Sequence, residues 1–278
     1  MSDPVSDSFL DALAATRTSD GGFGPRAGLP SEPESTALAA LALDDQEARA
    51  WLAAHQRADG SLARSLGSVT NEANTALAAL ALDGDAGRGA ANAIAATRAG
   101  HLESSSALPF DDDLRGWPWT AGAFGWVEPT AWAVLALRVV LPGTTDAIEE
   151  GVGMLRDREC VGGGWNYGNR IVLDEELPPF GQPTAMAMLA LQAFEDDEVW
   201  RRGMAALRGL WRQEAAGGLT LAVATAALRV NHDYDATACA AALADNFDRT
   251  RFLGDIVALA WAAIATGTGL GRLMINDP

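Results

Sequence analysis

Positive charge is scarce in this chain: 20 Lys and Arg stand against 37 Asp and Glu in 278 residues, a formal charge of −17. A field of that sign repels phosphate backbones and anionic bilayer surfaces, so nucleic acid is not an expected partner. Cysteine is scarcer still. Cys160 and Cys239 lie far apart and in no Cys-x-x-Cys or Cys/His spacing, which points away from a disulfide framework and a structural zinc site and fits a cytoplasmic location. The first residues lack the basic start and apolar core of a signal peptide. The longest apolar runs, such as 132–140 and 256–265, fall far short of the ~18 residues that span a bilayer, so no transmembrane segment is expected. Strand formers are sparse as well: the composition is led by Ala and Leu, which lose least on entering a helix. With 49% hydrophobic residues to bury, the expectation is an all-α protein with a sizeable core.

What is present is a repeat. Ser35-Thr36-Ala37-Leu38-Ala39-Ala40-Leu41-Ala42-Leu43 returns as Asn74-Thr75-Ala76-Leu77-Ala78-Ala79-Leu80-Ala81-Leu82, then from Pro129-Thr130-Ala131 and from Pro183-Thr184-Ala185, with weaker copies at 219–228 and 256–264. A more charged helical stretch precedes each copy, at 8–17, 46–57, 85–98, 146–158, 198–213 and 235–248. A helix that is apolar nearly all round must be surrounded by protein, whereas one with a charged face can lie outside. Six inner helices ringed by six outer ones make a barrel within a barrel, an α/α toroid over residues 1–278. An open solenoid would normally end in polar caps. The stretch 255–265 is as apolar as the middle copies, so closure is expected.

Between the two helices of a unit the chain reads Asp20-Gly21-Gly22-Phe23-Gly24, Asp59-Gly60-Ser61-Leu62 and Gly163-Gly164-Trp165-Asn166-Tyr167-Gly168. These phrases resemble the Gln…Gly-x-Trp repeat of squalene cyclases and other class II terpene cyclases, and the Gly-Gly-Phe repeat of protein prenyltransferase β subunits. Gln56 is the one glutamine retained. Glycines suit the turn and the aromatic wedges against the neighbouring unit, so the repeat fits the fold without fixing the reaction.

The repeat threonines, Thr36, Thr75, Thr130 and Thr184, are 39, 55 and 54 residues apart, so the third and fourth units carry inserted loops. Insertions on one face of a repeat scaffold usually mark its binding face. They hold Trp117, Trp119, Trp126, Trp165, Asn166, Tyr167, Arg170, Phe180 and Gln182, including four of the nine tryptophans. The rings either line a central cavity for an apolar, isoprenoid-like ligand or plug the top of the toroid.

The resemblance to class II cyclases implies an acid shortly before the Thr-Ala of an inner helix, which protonates an alkene or epoxide. Glu128 and Glu34 occupy that slot, without the paired aspartates of the family's motif, and a plain helix start would also place Glu beside Pro there. The run Asp111-Asp112-Asp113 is either a solvated loop or a set of oxygen ligands for Mg²⁺. Arg26, Arg64, Arg115 and Arg170 flank the loops and could gather around an anionic group. His55, His101 and His232 lie in no Asp-x-Cys context, so the zinc chemistry of the prenyltransferases is not expected. Two readings follow: a terpene-cyclase-like enzyme that binds and cyclises an isoprenoid or polyene, or a non-catalytic toroid that binds a lipid, peptide or protein.

Overall fold

Local signals start the inner helices where the repeat places them. Pro33 opens α2 (Pro33–Leu43), with φ preset for a first turn. Asn71 caps α4 (Glu72–Ala81) by accepting from the backbone of Asn74 at 2.8 Å, and Asp255 caps α12 (Ile256–Thr266) by accepting from Ala258 at 3.1 Å. The other inner helices are α6 (Val127–Val140), α8 (Gly181–Ala190) and α10 (Gly218–Val230). Between them run α1 (Pro4–Ala14), α3 (Gln46–His55), α5 (Gly84–Ala96), α7 (Thr145–Asp157), α9 (Glu198–Leu210) and α11 (Ala236–Thr250). This computed structural model describes residues 4–63, 68–195, 197–213 and 216–275.

The inner helices pack in sequence order, α2 on α4, α4 on α6, α6 on α8, α8 on α10 and α10 on α12. α12 packs back on α2, so the ring is closed, as the apolar last copy predicts. Outside it, α1 covers α12 and α2, while α3, α5, α7, α9 and α11 cover α2, α4, α6, α8 and α10. The inner helices are buried nearly all round and the outer ones along one stripe. One departure from an all-helical chain is a short hairpin in the fourth-unit insertion, β1 (Ile171–Val172) with β2 (Glu175–Glu176).

The first four units are held by the same latch, which explains why those copies of the repeat keep their threonine. The backbone N–H of Phe23 donates to Thr36 Oγ1, and those of Leu62, Trp117 and Trp165 donate to Thr75, Thr130 and Thr184, at 2.9–3.0 Å. In turn the hydroxyls of Thr36, Thr130 and Thr184 lie 3.1–3.4 Å from the carbonyl of the same residue and donate to it, whereas that of Thr75 donates to Asn71 O at 2.8 Å. The threonine thus satisfies the N–H of a buried turn residue, whose carbonyl also accepts from the backbone of Glu32, Asn71, Trp126 or Phe180 at 2.8–3.1 Å.

A second recurrent device uses arginine, the chain's sole strongly basic residue type. Arg49 donates to Ala81 O, Arg138 to Ala190 O and Arg229 to Ala265 O, at 2.7–2.9 Å. Each places a guanidinium on the last carbonyls of an inner helix, where the helix dipole is negative.

The axis itself is filled. Trp132 of α6 and Trp261 of α12, on non-neighbouring helices of the ring, stack with centroids 5.3 Å apart. At the end where the inner helices finish, the 3₁₀ segment Thr268–Leu273 crosses the ring, touching α2, α4, α6, α10 and α12. Gln192 Nε2 donates to Leu273 O at 2.8 Å and holds it there.

Candidate ligand-binding site

All the outer-to-inner loops lie at the end where the inner helices begin, and there the carboxylates of α2 and α6 approach one another. Glu128, in the first turn of α6, is buried, and Gln182 at the start of α8 donates to its Oε1 at 3.4 Å. Burial, and then the negative charge of half-buried Glu34, push the Glu128 carboxyl up to about 7 against the opposing Gln182 hydrogen bond. The helix dipole favours an ionised acid at this position, but desolvation is the larger effect in so dry a place.

Beside this mouth lies a cavity of about 500 Å³ between the two insertions. Its apolar wall includes Phe110, Phe124, Trp126, Tyr167, Phe180 and Leu108, with Arg115 and Arg158 as its basic residues and Asp112 as its acid. Phe124 and Trp126 are in ring contact at 5.1 Å, and Tyr167 and Phe180 at 5.6 Å. Asn166 shapes the loop: its Oδ1 accepts from Gly168 N at 2.8 Å and its Nδ2 donates to Asn169 O at 3.0 Å. That turn lays Gly168 flat against the Trp126 ring. The Tyr167 carbonyl accepts from Val127 N at 3.1 Å, so the fourth-unit loop is fastened to the start of α6. Burial, and then the Glu128 charge, raise the pKa of the Tyr167 phenol.

The Arg158 guanidinium lies 4.2 Å from the Phe110 ring centroid and pairs with Asp157. Burial draws its pKa down, and the charges of Asp157 and Asp111 hold it up. No repeat position marks this residue, which ends an outer helix like several other arginines, and the sequence reading missed it.

The predicted residues thus divide. Trp126, Asn166, Tyr167 and Phe180 line the rim cavity, while Glu128, Glu34 and Gln182 gather at the mouth. Trp117 and Trp165 do neither. Each is fully buried between the layers, its indole N–H donating to the carbonyl of Ile94 or Leu155 on the outer helix, at 2.9 and 2.6 Å. Glycines make room for them: a Cβ on Gly151 would fall 2.8 Å from the Trp117 ring, and one on Gly203 2.7 Å from that of Trp165. Trp119 is half-buried against the core and off the cavity wall. The axis holds the Trp132–Trp261 stack, so the cavity lies on the rim instead of in the centre of the ring.

Of the predicted loop charges among the described residues, Arg115 and Asp112 reach the cavity wall, and the others do not line it. Asp112 accepts from Ser104 N at 3.0 Å and Asp111 from Asp113 N at 3.1 Å, and among the described residues no three or more His, Cys, Asp or Glu side chains group as metal ligands would. Arg170 is half-buried, with Nε lacking a hydrogen-bond partner, and lies off the cavity wall. Arg26 donates to Leu253 O at 2.6 Å across the seam between the first and last units. Arg64 lies outside the described residues. Among those residues no helix is long and apolar enough to cross a membrane.

No family model matches the chain, and no curated protein does. Among solved structures it is similar to a protein from Actinoplanes, at 15% identity and a TM-score of 0.60 over 97% of this chain and 98% of that one. It is also similar to the ent-copalyl diphosphate synthase from Streptomyces platensis, at 18% identity and a TM-score of 0.44, over 93% of this chain and 45% of that enzyme. What the first of these shows is a shared fold.

Proposed function

We propose that the chain is terpene-cyclase-like, binding an isoprenoid-class ligand in the rim cavity, with Glu128 as the proton donor for its cyclisation. The rim cavity carries the reading: a space of about 500 Å³ walled by five aromatic rings is of small-molecule size and suits a flexible hydrocarbon. The faces of those rings would also favour a cationic intermediate over neutral competitors. Glu128 sits at the adjoining mouth, and with a pKa near 7 about half of it is protonated at neutral pH, as a general acid requires. The resemblance of the Gly-Gly-aromatic repeat to that of the class II cyclases supports the same reading.

A second reading, a toroid that binds such a ligand without transforming it, is favoured by one observation. Glu128 is buried and does not line the cavity, so proton delivery needs part of the wall to move aside.

Both readings are tested together by adding farnesol, geranylgeranyl diphosphate and squalene separately, following tryptophan fluorescence for binding and gas chromatography for products. Saturable binding that Leu108→Trp abolishes by filling the cavity is expected, together with wild-type products that Glu128→Gln loses while still binding. Binding without products would leave the second reading. No saturable binding of any of the three, or binding undiminished in Leu108→Trp, would overturn the site.

A further inference from the structure

A second pocket, of about 300 Å³, opens in the second unit, away from the rim cavity. The start of α4, the C-terminal half of α5 and the loop around Ser61 form it, with Ala121 of the third unit at its edge. Its wall includes Asp59, Thr70, Glu72, Asn92 and Thr97 and, among the described residues, no basic side chain.

Glu72 decides its character. It is 4% exposed, yet its Oε2 is buried with no hydrogen-bond partner. Glu34 and Glu128 stand two residues before Thr36 and Thr130, but Glu72 stands three before Thr75. One residue is ~100° around a helix, which turns this carboxyl out of the mouth and into the pocket. Unlike that of Glu128, its pKa of about 7 reflects burial alone, with no like charge contributing. Buried polar atoms are nearly always satisfied, so this oxygen calls for a donor that the described residues do not supply.

The surroundings select the donor's charge. Asp59 Oδ1 accepts from Ser61 N at 2.9 Å and Ser61 Oγ at 2.7 Å, which holds that carboxylate below its usual range and therefore ionised. Arg57, whose charge also lowers it, is engaged with the Ser68 carbonyl and off the pocket wall. The C-terminal end of α5 adds the negative end of a helix dipole. Acceptors, one fixed negative charge and one inducible one favour a compact cation with several N–H groups.

We propose that this pocket binds a small organic ammonium ion, its N–H groups donating to the Glu72 carboxylate while Asp59 supplies a second negative charge. The pocket opens past exposed Asn92 and Ala96, which gives such an ion a path in from solvent.

The test is an amide NMR titration with n-butylammonium, using n-butanol as its uncharged counterpart. Saturable shifts are expected at Ser61, Thr70, Asn92 and Thr97 with the ammonium and none with the alcohol. Glu72→Gln should weaken binding at least tenfold, and Glu128→Gln should leave it unchanged, separating this site from the mouth. Should Glu72→Gln fail to fold by circular dichroism, Ala96→Phe, which fills the entrance from the exposed face of α5, should abolish the shifts with Glu72 intact. The proposal is overturned by absent saturation, by equal shifts with n-butanol, or by undiminished binding in a folded Glu72→Gln or Ala96→Phe protein.

Discussion

Trp132 and Trp261 meet across the axis of the ring, their planes 29° apart and their centroids 5.3 Å apart. They come from the third and sixth inner helices, so the contact ties the two halves of the toroid to each other through its centre. Both rings are buried, and neither indole is exchangeable for a smaller side chain without leaving a void.

Trp261→Ala should therefore cost about 3–5 kcal/mol of stability, and Trp132→Ala a similar amount, measured by urea unfolding followed by circular dichroism. Combined, they should cost less than the sum, by about 0.5–1.5 kcal/mol for the ring contact. Strict additivity would show that the stack does not couple the halves.

Glu128 makes stability depend on pH in a direction opposite to that of an ordinary salt-bridged carboxylate. Its folded pKa of about 7 lies above its ordinary 4.5, so the folded state holds the proton more tightly. The associated stability is fully present below about 4.5 and is lost as pH rises through about 7, a difference of about 3 kcal/mol. Glu72 acts with the same sign. Melting temperature should fall between pH 5 and pH 8 in the wild type, and Glu128→Gln should flatten part of that slope. An unchanged slope in the variant would mean that Glu128 is ionised in the fold at neutral pH.

The latch threonines predict a specific loss. Thr130→Val keeps the shape but leaves the buried N–H of Trp117 without its acceptor, while the Trp117 carbonyl keeps the Trp126 N–H at 3.1 Å. The expected cost is about 1–3 kcal/mol, by the same unfolding measurement. Thr130→Ser should recover most of it, because the hydroxyl is what the turn requires.

Both thiols should be silent in the folded protein. Cys160 and Cys239 are buried and unpaired by disulfide, burial raises both, and Cys239 reaches about 11. A thiol reagent such as dithionitrobenzoate at pH 8 should react with neither in native protein and with both in guanidinium. Rapid labelling of native protein would show that the inner layer opens readily.

The ring was legible in the sequence because its inner phrase is repeated and apolar on all sides, a pattern that only a surrounded helix tolerates. The inserted loops were legible from the spacing of Thr130 and Thr184. The roles of the tryptophans were not, because the same residue type serves a wedge and a cavity wall. Trp117 stands thirteen residues before its threonine, as Phe23 and Leu62 do, and that shared offset is the signal that would have marked it as a wedge. Trp165 is hidden by the longer loop that separates it from Thr184. Arg158 and the Trp132–Trp261 stack are consequences of three-dimensional closure, with no local pattern to announce them. The pKa of Glu128 is of the same kind: sequence supplies a carboxyl at a helix start, and only the packed mouth decides that desolvation exceeds the dipole.

Closing the ring also sets the order in which the chain becomes stable. The faces of α1 and α2 that meet α12 wait for a segment more than two hundred residues later in the chain. Every partial assembly, whether growing from a ribosome or refolding from denaturant, carries two sticky ends that are complementary to each other. Contacts of such separation cost loop-closure entropy before they return any stabilisation, and apolar ends left open invite pairing with the ends of other copies. The last helix therefore acts as a keystone: until it seats, the chain is a short open array whose natural error is to close on a neighbour instead of on itself.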